Sequence, residues 1–156
     1  QPDSAEEGLN LLHDLVDSRA VNVVVIDSVA ALEPLEIQAK EIGEHHIGVQ
    51  ARLMSDALRK LAGPVRRSNV IVIFINQVRA KIGVVWGNPE DTPGGKALKF
   101  YSSLRMRVSR VGSIKKGDKV IGLESKINIV KNKVAPPFTT CRLELFYGRG
   151  WQDGGK

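Results

Sequence analysis

Residues 21–28 read V-N-V-V-V-I-D-S, and no other stretch narrows the fold as much. β-Branched side chains are stiff at χ1 and suit a pleated sheet better than a helix. A run that is continuously apolar, rather than alternating, predicts a strand buried on both faces in a parallel sheet. Val70 to Ile75 repeats the pattern and ends in Asn76-Gln77. Helical signals precede each run. Ser4 to Glu7 has the form of a capping box, with Ser4 as N-cap and Glu7 three residues on. Leu9, Leu12, Leu15 and Val16 then recur at helical spacing, predicting a helix that ends near Ser18. A second helix is predicted from Gly48 to Ala62, with Val49, Leu53, Met54, Ala57, Leu58 and Leu61 on its buried stripe. Gly63-Pro64 predicts its end.

Beyond residue 103 the period changes to two. Ser103–Val111 and Glu124–Val130 alternate, joined through a hairpin-like Lys115-Lys116-Gly117-Asp118, and Cys141–Tyr147 alternates again. The expected class is therefore α/β: a parallel twisted sheet flanked by helices, then a C-terminal antiparallel strand meander. At 156 residues and 42% hydrophobic content, one core is expected. No stretch approaches the roughly 20 apolar residues of a membrane span, so no membrane partner is expected. The single cysteine, Cys141, leaves no intrachain disulfide, fits a reducing compartment, and reads as a packed strand residue. His13, His45 and His46 lack the spacing of a metal site.

The net charge of +6 is unevenly spread. Residues 1–44 hold ten acids and two bases; residues 96–133 hold eleven bases and two acids. Such asymmetry suits a polyanion partner, the mating of acidic and basic faces between subunits, or simply a solvated basic surface.

Two irregular segments, 28–46 and 78–95, leave the carboxyl ends of the two apolar strands, where open α/β sheets bind ligands. Asp27 and Ser28 end the first strand. An apolar strand closing on an acid and a hydroxyl has the form of a Walker B strand, which supports a magnesium ion beside a nucleotide phosphate; many such acids only cap helices. The partner motif G-x-x-x-x-G-K-[ST] does not occur in these 156 residues. Gln77 ends the second strand, and its amide can donate and accept, as a phosphate sensor would or as a backbone cap would. The segment after it carries Arg79, Lys81, Val84, Val85, Trp86, Gly94, Gly95 and Lys96. Cations for phosphates, glycines for close approach and apolar or aromatic groups for bases suit single-stranded nucleic acid. The same composition also suits a surface lid on which Trp86 packs. Arg52, Ser55 and Arg59, spaced i, i+3, i+7, share one polar helix face. Lys131 and Lys133 share one strand face, able to meet one anion or to protect a sheet edge.

Several stretches together resemble one family, the bacterial RecA recombinases with their plastid and mitochondrial relatives. They are V-V-V-I-D-S-V-A-A-L (23–32), Q-A-R-L-M-S-D-A-L-R-K-L (50–61), V-I-F-I-N-Q-V-R-A-K-I-G-V (72–84), G-G-K-A-L-K-F-Y (94–101) and V-I-G-L-E-S-K-I-N-I-V-K-N-K-V-A-P-P-F (120–138). The resemblance covers nearly the whole chain in order. It implies a RecA-like P-loop NTPase core, with residues 1–148 as the C-terminal part of that core and 149–156 as a linker. It implies a DNA-dependent ATPase of homologous recombination, DNA repair and the SOS response. Such a protein forms a homo-oligomeric helical filament on single-stranded DNA and exchanges strands with double-stranded DNA. ATP and Mg2+ are the implied cofactors, and the implied location is the cytoplasmic nucleoid, or the plastid or mitochondrial matrix for an organellar homologue.

Residue by residue, the resemblance implies that Asp27 and Ser28 are the Walker B pair, with Asp27 holding magnesium through water. Gln77 becomes the γ-phosphate sensor. Lys131 and Lys133 reach a neighbouring subunit's ATP in trans, by the logic of an arginine finger. Segments 34–47 and 78–95 become the DNA loops, and Ile47, Arg52, Ser55, Arg59, Arg79, Trp86, Gly94, Gly95 and Lys96 line the DNA path. Phe100 falls at a subunit contact. The Walker A loop and catalytic glutamate lie upstream in the family, so no catalytic residue is expected here and the chain alone is expected not to hydrolyse ATP. Trp86 stands where the family usually has phenylalanine, Lys96 where it has asparagine, and Gln38-Ala39-Lys40 is less acidic and less glycine-rich than usual. The alternative from another class is a non-catalytic module for single-stranded DNA binding or filament contact, with no P-loop of its own.

Overall fold

The computed structural model describes residues 2–39, 41, 48–80 and 90–153. Their contacts form two compact units, Gln1–Tyr101 and Ser102–Lys156, where the sequence suggested one core.

The first unit begins with α1 (Ala5–Ser18). Ser4 caps it as expected, its Oγ accepting the Glu7 N–H at 3.2 Å. Glu7 answers one residue earlier than a standard capping box, accepting the Asp3 N–H at 2.7 Å. The strand β1 (Val23–Ile26) pairs in parallel with β2 (Ile71–Phe74), in the register Val23↔Ile71 to Ile26↔Phe74. Both strands alternate exposed and half-buried, which corrects the expectation of burial on both faces. Val24, Ile26, Val72 and Phe74 lie against the core formed by Leu9, Leu12 and Val16 of α1 and by Met54, Leu58 and Leu61 of α3 (Val49–Arg67). Val23, Val25, Ile71 and Ile73 look the other way and are exposed, because the helices cover one side of this pair.

The long helix runs past its expected end. Pro64 lies inside α3, which stops only at Ser68, whose N–H donates to Pro64 O at 2.9 Å. Proline forfeits one i→i−4 bond, but Val65 beyond it packs on the core and carries the helix on. Segment 28–46 also holds more structure than expected: a 3-10 turn at Val29–Ala31 and the short α2 (Leu35–Gln38). The short α2 is tied to the start of α1, through Leu35 N–H to Glu6 Oε2 at 3.0 Å and Gln38 Nε2 to Asp3 O at 2.8 Å. The segment 78–95, expected to lack regular structure, has a stem in which β3 (Arg79–Ala80) pairs antiparallel with β4 (Glu90–Asp91). The helix α4 (Ala97–Tyr101) closes the unit.

The second unit is an antiparallel sheet in the order β5 (Leu104–Lys116), β6 (Lys119–Asn132), β7 (Thr140–Phe146) and β8 (Gly150–Asp153). Gly117-Asp118 makes the β5–β6 turn. Both long strands exceed the alternating stretches, because register shifts at Arg105/Met106, Arg110/Gly112 and Ile114/Lys115 reset which residues face which side. Residues 150–153, expected in a linker, pair with β7 instead. Cys141 is exposed on β7, not packed as expected.

Candidate functional site

In the first unit the chain leaves β1 still zipped to its neighbour. Ile75 N–H donates to Ile26 O and Val29 N–H to Ile75 O, each at 2.9 Å. Asp27 and Ser28 therefore stand at the carboxyl end of β1, and Asn76-Gln77 at the carboxyl end of adjacent β2. Asp27 is exposed, Ser28 half-buried, and the peptide joining them is cis. Gln77 is exposed too, its N–H held by Asn76 Oδ1 at 2.9 Å, while Asn76 Nδ2 donates to Pro93 O at 3.0 Å. An acid, a hydroxyl and an amide thus share one sheet edge. Among the described residues no three His, Cys, Asp or Glu side chains converge. A cation at Asp27 would meet no such cluster among the described residues and would take most of its ligands from water or phosphate. That donor set fits magnesium, which keeps its waters and is usually bound by one or two carboxylates plus substrate phosphates.

The sequence reading missed Gln50. Its Nε2 donates to Val29 O at 2.9 Å and Leu32 O at 2.8 Å, and its Oε1 accepts the Gly94 N–H at 3.2 Å. The signal was available: positions 50, 54, 58 and 61 form one row of α3, and Gln50 is the polar member of a row otherwise Met54, Leu58 and Leu61. The turn it holds is tightly seated. Gly94 and Gly95 have φ of +81° and +72°, and a Cβ on either would lie 2.9 Å from Val29 Cγ1 or 2.7 Å from Ala51 Cβ. Glycine answers both demands, backbone sign and close approach.

Next to this turn several predicted residues meet. Ser55, Lys96 and Phe100 line one open groove with Ala51, Ala97 and Tyr101. Phe100 is 73% exposed, its ring edge-on to Tyr101. Arg52, on the same helix face as Ser55, is exposed, as is Arg79 on the β3 stem. Arg59 is exposed but ion-paired, its Nη2 at 2.8 Å from Asp56 Oδ1, so its charge is partly compensated. Ile47 and Trp86 lie outside the described residues.

In the second unit, Lys131 lies opposite Arg105 where β6 ends, and the Lys133 N–H donates to Ser103 O at 3.0 Å. Asn132 Oδ1 accepts the N–H groups of Val134 and Ala135, at 3.0 and 3.1 Å, and so fixes the chain between and after the lysines. Burial, then the charge of Lys133, then that of Arg105 hold the Lys131 ammonium below its ordinary value of 10.5. Three cations crowd one strand end, and an anion there would relieve their repulsion. Arg105 was not singled out in the sequence; only the hairpin register brings it to Lys131.

The profile of the RecA N-terminal domain matches residues 1–152. The chain belongs to the RecA N-terminal domain family. It is 58% identical over 150 residues to Protein RecA of Thioalkalivibrio sulfidiphilus, covering 96% of this chain and 44% of that protein. It is equally identical over 150 residues to Protein RecA of Allochromatium vinosum and of Methylococcus capsulatus, covering 96% of this chain and 43% of each. The chain thus spans less than half the length of these RecA relatives. A crystal structure of the RadB recombinase shares the fold, with a TM-score of 0.63 over 99% of this chain and 62% of that one, at 17% identity. In this RecA-family chain the resemblance drawn from 23–32, 50–61, 72–84, 94–101 and 120–138 is borne out as to family and fold.

Proposed function

We propose that this chain supplies the metal-side half of an ATP site and part of the DNA path of a RecA-type recombinase. In this reading the full-length protein is a DNA-dependent ATPase that polymerises on single-stranded DNA and exchanges strands in recombination and repair, in the cytoplasm or an organellar matrix. The observation that carries the proposal is the sheet edge where Asp27-Ser28 and Asn76-Gln77 end two adjacent parallel strands in a RecA-family chain.

ATP with Mg2+ supplies the phosphoryl group and the energy that phosphoryl transfer releases. The chain's own residues have positional and electrostatic work. Asp27 would hold the cation through water, with Ser28 bonding its water shell. Gln77, exposed at the strand end, would accept from or donate to the terminal phosphate. Lys131 and Lys133 would meet a neighbouring subunit's ATP as point charges, their crowding with Arg105 being relieved when phosphate arrives. Ser55, Lys96, Gly94 and Gly95, with Arg52, Arg59 and Arg79, would follow the DNA backbone, and Phe100 would meet the next subunit. Ile47 and Trp86 belong to the same proposal by resemblance.

Replacing both lysines tests the trans role. In the full-length protein, Lys131→Ala with Lys133→Ala should lower ATP turnover by about 100-fold or more, the scale of a lost transition-state cation. Its affinity for single-stranded DNA without nucleotide should change little. Unchanged turnover removes the trans role. The rival reading is a DNA-binding or filament-contact module that hydrolyses nothing. ATP turnover by the full-length protein, stimulated by DNA, rejects that reading.

A further inference from the structure

Gln50 spends its whole amide on two backbone segments that the proposed function assigns to different ligands. Both of its donated bonds go to the turn immediately after Asp27-Ser28, at Val29 O and Leu32 O. Its accepted bond comes from Gly94, in the turn beside Lys96. A second amide repeats the arrangement from the other strand. Asn76 holds Pro93 O with its Nδ2 and the Gln77 N–H with its Oδ1. Residues 93 and 94 are therefore gripped by two amides, each also bonded to a segment next to a proposed phosphate contact.

Packing closes the link. A Cβ on Gly94 would meet both Val29 Cγ1 at 2.9 Å and Met54 Cγ at 3.3 Å, so the two turns have no slack between them. Close-packed interiors pass displacement on rather than absorb it. An apolar side chain at position 50 could fill the space but would hold none of the three bonds.

We propose that Gln50 is a positioning residue that couples the Asp27-Ser28 end of β1 to the Gly94-Gly95 turn, so that nucleotide at the first sets affinity for single-stranded DNA at the second. Gln50 touches neither ligand. The inference rests on the nucleotide and DNA reading above. By linkage, DNA strengthens nucleotide binding by the same factor as nucleotide strengthens DNA binding.

The test uses the full-length protein, oligothymidylate as the DNA and a non-hydrolysable ATP analogue. The quantity read is the ratio of oligothymidylate dissociation constants without and with the analogue. Gln50→Met should reduce that ratio by about tenfold, equivalent to about 1.4 kcal/mol of coupling. Analogue affinity without DNA, and DNA affinity without analogue, should stay within about twofold of wild type. Gln50→Glu keeps an acceptor for Gly94 but loses both donors, so it should show the same loss and decides the matter if the Met variant misfolds. An unchanged ratio in either folded variant overturns the inference. So does a parallel fall of both single-ligand affinities with a lowered melting temperature, which would mark Gln50 as scaffold only. A wild-type protein whose DNA affinity ignores the analogue would instead sink the functional reading itself.

Discussion

Gly94 carries two constraints at one residue. Its φ of +81° is costly for any residue with a Cβ, and its would-be Cβ lies 2.9 Å from Val29 Cγ1. The left-handed backbone costs roughly 1–2 kcal/mol and overpacking roughly 1–3 more, so Gly94→Ala should destabilise by about 2–5 kcal/mol. A urea titration of the full-length variant reads this as a lower midpoint. Lys131 offers the opposite case, a residue the fold holds against its preference. Its folded pKa lies below 10.5, so between that depressed value and 10.5 the unfolded chain binds more protons than the folded one. Stability contributed at this site therefore rises with pH through that window. Lys131→Met should raise the denaturation midpoint near neutral pH, and the gain should shrink as pH climbs through that window and be lost above 10.5. A gain that stays constant with pH would mean that packing, not charge, is responsible. At this scale the sequence showed which residue types were present and concealed their partners. Nothing local marks Arg105 as the neighbour of Lys131, because a cross-strand register brings them together. The pairing of Asp56 with Arg59 is the local exception, since residues three apart on one helix are neighbours.

Among the elements, α3 shows local and tertiary forces in competition. Gly63-Pro64 is a strong stop signal, yet the helix reaches Arg67 because Val65 finds the core. Pro64→Ala restores an N–H able to reach Lys60 O, and should stabilise by about 1 kcal/mol or more without altering the fold. Slower amide exchange around residue 64 would report it; faster exchange would contradict it. Both apolar strands were legible in kind and in parallel pairing, since β-branched runs have few alternatives. Their environment was not: the run cannot say how many of its faces helices cover, and here Val23, Val25, Ile71 and Ile73 stay exposed. Bulges hid the true lengths of β5 and β6, since each shift breaks the alternation on which a period-two reading depends. The strand β8 was missed because Gly150 to Asp153 offers four residues and no alternating apolar set.

Across the whole molecule, the motif runs were more informative than composition. They pointed to the RecA family, whose N-terminal domain profile matches residues 1–152, whereas a charge of +6 fits many proteins. Chain order alone also put Asp27 and Gln77 at the ends of neighbouring strands. What it could not supply was the link between the turn after β1 and the turn at Gly94, because Gln50 bonds carbonyls 18 to 21 residues before it and an N–H 44 residues after it.

The central claim is that Asp27 serves one subunit's ATP while Lys131 and Lys133 serve another's. Mixing two inactive full-length variants tests it most directly. Asp27→Ala subunits retain the lysines, and subunits with Lys131→Ala and Lys133→Ala retain Asp27. In a head-to-tail assembly at equal mixing, about one interface in four pairs an intact Asp27 with intact lysines. DNA-stimulated ATP turnover of the mixture should then recover to roughly a quarter of wild type. A mixture as inactive as its components would contradict the account.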